Sequence, residues 1–235
     1  MTYLRLCIVA LLLPACGLID SDVTNFDLTL PDKDFSVDAS GWQVDQMAAD
    51  TFLDTSCSPT PQNVCMSAAM QACPMNCAGE CGSAGKCLLE LNISAYKSID
   101  LVTEKPELNT INDKPVIKVA IDSVQFSVPS NTLNVATPEL GVYVAPITVM
   151  DPKDPMAKKI GVIAEVPAGA TVATKDLTFT GEGKQILIDT MSTFKTPFNV
   201  IVGTSADDPI TIGAGDPVPT GKLDAIVQIK AHAGL

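Results

Sequence analysis

The sequence predicts a mainly β protein, an antiparallel β-sandwich preceded by a small disulfide-stapled helical segment. Three observations carry this. From residue 88 onward apolar residues recur at every second position, the period of a half-buried strand: Leu89, Leu91, Ile93 and Ala95 alternate with Glu90, Asn92 and Ser94. Turn-forming stretches (VPSN, DPKDP, VPAGA, SADDP, GAGDPVPTG) separate the apolar runs, as short antiparallel strands require. Six of the eight cysteines crowd between positions 57 and 87, in a segment too small to hold a core without crosslinks.

Residues 1–15 read as a secretory signal. Arg5 is the sole charged side chain there, and an apolar run over 6–13 follows it. As a helix those eight residues rise only about 12 Å, against a hydrocarbon core of about 30 Å, so the run suits a signal peptide and not a membrane span. Its last residues, Leu13-Pro14-Ala15-Cys16, resemble the lipobox of bacterial lipoprotein precursors, although Pro14 stands where a small or hydroxylated residue is commoner. The resemblance implies removal of residues 1–15 and fatty acylation (palmitate-type chains) of Cys16. It also implies, because Gly17 rather than Asp follows the cysteine, an outer-membrane rather than inner-membrane address. One acyl chain binds a bilayer only marginally and several hold it stably, which makes Cys16 the expected anchor.

The formal charge is −12, and loss of Arg5 with no acid takes it to −13. Such a balance opposes nucleic-acid binding, which depends on neutralising phosphates, and opposes docking on anionic lipid. It suits a well-solvated surface beside a membrane.

Residues 16–41 read as a lipidated acidic tether, with 17–24 as spacer and the alternation of Phe26, Leu28 and Leu30 as an edge strand of the main domain. Residues 42–87 form the Cys-rich helical segment, with a compact knot over 60–84. Thr60 and Pro61 supply an N-cap and a first helical residue. With Cys7 in the signal and Cys16 as anchor, Cys57, Cys65, Cys73, Cys77, Cys81 and Cys87 remain, an even number that implies disulfides in an exported protein. Fifteen pairings are open. Cys65 and Cys73 lie eight residues apart on one helix, a rise of roughly 12 Å, too far to bond to each other. Zinc and iron–sulfur sites favour C-x₂-C knuckles, and no C-x-x-C occurs. Structural crosslinks are the expectation.

Residues 88–235 form the sandwich. Ile117, Val119 and Ile121 take odd positions and Val124, Phe126 and Val128 even ones, a slip that predicts a β-bulge near Asp122 and Ser123. Further strands are expected over 140–149, 160–166, 172–179, 198–202 and 223–229. Alternation fails in GEGKQILIDTMSTFKTPF, where Leu187, Met191 and Phe194 fall on one helical face, so a short helix is expected there, with a short buried strand over 186–188 as the competing reading. The stretch IDSVQFSVPSNTLNV, followed by EVPAGA, is similar in rhythm to the water-stress β-sandwiches of the late-embryogenesis-abundant type. That resemblance implies the sandwich and carries no activity.

No G-x-S-x-G, H-E-x-x-H or phosphate-loop motif occurs, and the one histidine, His232, lies near the end of the chain. No enzyme is expected. Calcium is the competing reading: Asp151, Asp154, Asp207, Asp208 and Asp216 sit on expected loops, and gathered at one end they could supply the oxygens calcium needs. Ordinary turn chemistry explains the same residues, since Asp binds nearby backbone and Pro fixes the turn. Asn92-Ile93-Ser94 matches a glycosylation acceptor but falls in an expected strand and is read as chance. The function expected is that of a non-catalytic envelope lipoprotein that binds a protein partner or supports an envelope assembly. The alternative is a calcium- or ligand-binding sandwich module.

Overall fold

The structure is a computed structural model that describes residues 26–58, 63–73, 77–111, 117–205 and 208–234. In chain order the elements are β1 (Phe26–Asp27), β2 (Lys33–Asp38), a 3₁₀ turn (Ala39–Trp42), α1 (Gln46–Leu53), α2 (Asn63–Ala72), β3 (Cys77–Cys81), β4 (Cys87–Leu91) and β5 (Ser94–Ile99). There follow α3 (Leu101–Glu104), a second 3₁₀ turn (Pro106–Ile111), β6 (Lys118–Asn131), β7 (Leu140–Pro146), β8 (Lys158–Ile163), β9 (Val172–Asp176) and β10 (Thr178–Phe179). The chain ends with α4 (Gly183–Ser192), β11 (Phe198–Gly203), β12 (Ile210–Ile212) and β13 (Lys222–Gly234). Among the described residues no helix is long and apolar enough to cross a membrane.

The fold is mainly β, with every strand pair antiparallel. A first sheet has the order β1-β13-β6-β9, with β2 also on β13; a second has the order β10-β8-β7-β11-β5. Their inner faces share one core. From β13 come Leu223, Ala225, Val227, Ile229, Ala231 and Ala233, and from β7 come Leu140, Val142 and Val144. The bulge forms where the apolar parity slips. Lys230 pairs with Ser123 and Ala231 with Ile121, which leaves Asp122 as the extra residue. Both Ile121 and Val124 thereby stay inside.

The helix over Gly183–Ser192 forms as its spacing requires. Leu187, Met191 and Phe194 are all fully buried, and α4 touches β6 of the first sheet and both β7 and β8 of the second. It closes one open side of the sandwich. On the opposite side the edge strands β2 and β5 approach each other.

The structure corrects several expected boundaries. The edge strand expected over Phe26, Leu28 and Leu30 forms, and the first sheet also takes in residues 33–38, where tether was expected. Phe26 pairs with Ala233, Leu28 and Leu30 donate backbone N–H to Ala231 and Ile229, and β2 pairs with residues 222–227. The Cys-rich segment is only half helical, because β3 and β4 form a hairpin to which β12 adds a third strand. The alternation over 89–95 is not one strand. It breaks after Leu91, where the Ile93 carbonyl accepts from the Thr204 N–H and the Ile93 N–H donates to the Thr204 hydroxyl, so β4 joins the small sheet and β5 the second. The run over 172–179 divides likewise, with β9 and β10 in different sheets and the buried Leu177 bonded to the Val124 carbonyl between them. Strand β12 had no periodic signal because three residues are too few to show one.

Candidate functional site

The stapled unit is held by Cys57–Cys81, Cys65–Cys87 and Cys73–Cys77, with Cα separations of 5.8, 5.5 and 6.1 Å. Cys65 and Cys73 bond outward from the helix and not to each other. Gly79 of β3 lies against the Cys65 carbonyl and Ala69, where a Cβ would collide; a glycine is what lets the hairpin pack directly on α2. The sulfurs of Cys57, Cys65 and Cys87 lie within 4.8 Å of one another. That is the spacing of two disulfides side by side, and disulfide sulfurs lack the thiolate that binds metal. Cys16, Thr60 and Pro61 lie outside the described residues.

A polar cleft of about 340 Å³ opens where this unit meets the sandwich, lined by Ser36, Asp38, Trp42, Asn92, Asp151 and Lys153 among others. The one tryptophan forms its floor: Trp42 is buried, and its Nε1–H donates to the Asn92 carbonyl at 2.8 Å. Lys153 reaches over from the β7–β8 loop to donate to Asn92 Oδ1 at 2.7 Å. A second hollow, of about 580 Å³, shares Ser36 and Ser94 with the first and continues along the β2–β5 seam past Tyr96 and Asp224.

Two carboxylates here, Asp38 and Asp224, are favoured in the ionised form. Hydrogen bonds from the Ser40 hydroxyl and amide keep Asp38 below its ordinary range. The Ser36 hydroxyl, at 2.8 Å, and Lys222 do the same for Asp224. The hydroxyls are committed as donors, Ser36 to the Asp224 carboxylate and Ser94 to the Met150 carbonyl. This cleft can accept and donate hydrogen bonds to a bound group. On the outer face of the small sheet, burial and a hydrogen bond with Glu80 raise the pKa of Glu90, while Lys153 works against the rise.

His232 lies elsewhere. Its Nδ1 is 3.0 Å from a carboxylate oxygen of the bulged Asp122, and both side chains are about half exposed. The acids considered for calcium serve their own turns: Asp151 accepts from the Lys153 N–H, Asp154 from the Met156 N–H and Asp216 from the Gly213 N–H. Asp151 borders the cleft, whereas Asp216 lines a different hollow beside Glu165. Asp208 is exposed, and Asp207 lies outside the described residues. Asn92 sits at the β4–β5 break, not in a strand as the sequence suggested.

One buried residue escaped sequence reasoning. Asn199 of β11 is fully buried; its amide donates to the carbonyls of Ile147 and Val149 at 3.0 and 2.7 Å, and its Oδ1 accepts from Ser98. It pins the β7–β8 loop that carries Asp151 and Lys153. A polar residue within FNVIV was its only signal.

No protein family and no curated protein matches this sequence. A solved chain from the full particle of Israeli acute paralysis virus heated to 63 degrees is similar over 100% of this chain and 85% of that chain, at 9% identity and a TM-score of 0.24. An overlap that low carries no statement about fold or role.

Proposed function

We propose that this chain is an exported, lipid-anchored, non-catalytic β-sandwich protein of the cell envelope, held in the outer membrane by an acylated Cys16 and binding a protein partner there. The observation that carries the reading is the pairing of all six cysteines beyond Cys16 into three disulfides, the state of an oxidising compartment. The lipobox-like residues 13–16 add the anchor. The ten residues from Cys16 to Phe26 reach at most about 36 Å, so the sandwich would sit close to the bilayer. A negative surface and a cleft lined by hydrogen-bonding side chains support the binding role.

Intact mass of the mature chain tests the anchor. We expect acyl mass on Cys16 and release from the membrane fraction in Cys16→Ser; a mature chain without acyl mass overturns the reading. A second reading, a ligand-binding module, is favoured by the cleft between Trp42 and Lys153. Its calcium form predicts a rise in melting temperature, since calcium at 100 times its Kd stabilises by about 2.7 kcal/mol. We expect equal melting curves in millimolar calcium and in chelator, because the turn bonds already use Asp151, Asp154 and Asp216.

A further inference from the structure

Strand β13 spans the first sheet and orders the molecule along its length. Phe26 pairs near one end of it, with Ala233, and Asp38 pairs at the other, with Lys222. Those positions are eleven residues apart, about 36 Å in a strand. Asp38 then caps the 3₁₀ turn that leads into α1. The described chain therefore enters at one pole with Phe26, and the disulfide-stapled unit follows from the other.

That far pole is unusually apolar for an exposed surface. Among the described residues, four of the eight exposed large apolar side chains (Met47, Val64, Met66 and Met70) lie on α1 and α2. Isolated exposed apolar residues are ordinary, whereas their concentration marks an interaction site. On α2, Cys65, Ala69 and Ala72 face the core, while Met66 and Met70, one turn apart and so on a common face, are 57% and 76% exposed. On α1, Ala49, Phe52 and Leu53 are buried, and Met47 on the other face is 80% exposed. The two helices pack together, with the Asp45 N–H bonded to the Ala72 carbonyl. Disulfides on both sides of α2 give a preformed platform, which reduces the ordering cost of binding. Methionine adapts its shape to whatever docks on it.

The charge selects the occupant. Residues 43–85 contain Asp45, Asp50, Asp54 and Glu80 and no Lys or Arg, Lys86 at the edge donating to the Asp54 carbonyl; Asp45, Asp50, Asp54 and Glu80 are all exposed. We infer that the outward faces of α1 and α2 dock a basic, amphipathic helical segment of a partner protein, its apolar side on the methionines and its cations beside the aspartates. An amphipathic helix presents its own apolar anchors at i, i+4 and i+7, a period that matches the Met66–Met70 step, and the same negative charge repels anionic lipid. The inference rests on the partner-binding reading above and names the partner's chemistry.

The test uses the mature chain carrying Cys16→Ser and an 18-residue amphipathic Lys/Leu helix as probe. A Glu/Leu peptide of the same pattern, a scrambled Lys/Leu peptide and phosphatidylglycerol vesicles are compared with it. We expect the Lys/Leu helix to bind more tightly than the scrambled peptide, and the Glu/Leu peptide and the vesicles not to bind. Met66→Ser with Met70→Ser should weaken binding at least tenfold, and Asp50→Asn with Asp54→Asn should lower both affinity and its salt dependence. Ile147→Ser with Met150→Ser, a remote exposed pair, should leave affinity unchanged. Equal affinity of the methionine and remote variants, or binding to vesicles in place of the peptide, overturns the inference. Envelope partners captured equally by wild type and the Met66/Met70 variant also overturn it while leaving the lipid-anchored reading standing. Absence of acyl mass on Cys16 removes that reading without altering peptide binding.

Discussion

Lys33 Nζ lies 2.7 Å from Glu104 Oε1, and the pair joins the two sheets across the seam: Lys33 starts β2 of the first sheet, and Glu104 ends the short helix after β5 of the second. Both side chains are about 85% buried. The second Glu104 oxygen is buried without a partner, so the lysine is the main compensation for that carboxylate. Lys33→Met should destabilise the protein by roughly 3 kcal/mol in a urea titration, the scale for breaking a buried pair from one side. Lys33→Met with Glu104→Leu should recover most of that loss, because an apolar pair leaves no stranded charge.

Glu90 predicts a pH effect of opposite sign to the usual carboxylate. Burial and the neighbouring Glu80 raise its folded pKa above the ordinary value. Its stabilising contribution is therefore complete below the ordinary carboxylate range and lost as pH rises through the raised value. Glu90→Gln should be more stable than wild type at neutral pH by about 0.2–1 kcal/mol, the scale of like-charge cross-strand neighbours, reduced by solvent screening. Melting temperatures should converge in acid.

The disulfides should carry the stapled unit. Unreduced mature chain should be six hydrogens lighter than its reduced form. Replacing both Cys65 and Cys87 with Ala should cost about 2–5 kcal/mol and raise hydrogen exchange in α2 before it rises in β6 or β13.

Asn199→Ala should strip the β7–β8 loop of its buried donor. Two carbonyls would lose their partner, and a buried unsatisfied group costs about 1–3 kcal/mol. Amide exchange over residues 147–157 should quicken more than in β11 itself.

The cleft was legible only in pieces. Asp151 was visible as a turn residue because Asp-Pro is a local signal, but nothing local brings Lys153 to Asn92 or Trp42 to the Asn92 carbonyl. Those contacts span 61 and 50 positions in the chain. The apolar runs in β7 and β11 also hid their role. Each is buried on both faces, with Tyr143, Ala145, Val149 and Ile201 forming a second small core outside the main one, so alternation vanished where burial was greatest.

By itself the sequence determined whatever depends on near neighbours. Period-two runs became strands, the slip at Asp122 became a bulge, and Leu187 and Met191 became the buried side of a helix, with Phe194 buried in the turn after it. Helical rise kept Cys65 from Cys73. Tertiary structure decided which sheet each strand joined, which cysteine each cysteine met, and that residues 33–38 extend the sheet rather than a tether. The physical reason is range. Backbone sterics and side-chain alternation act within a few residues, whereas sheet membership and disulfide pairing depend on which distant surfaces exclude water together.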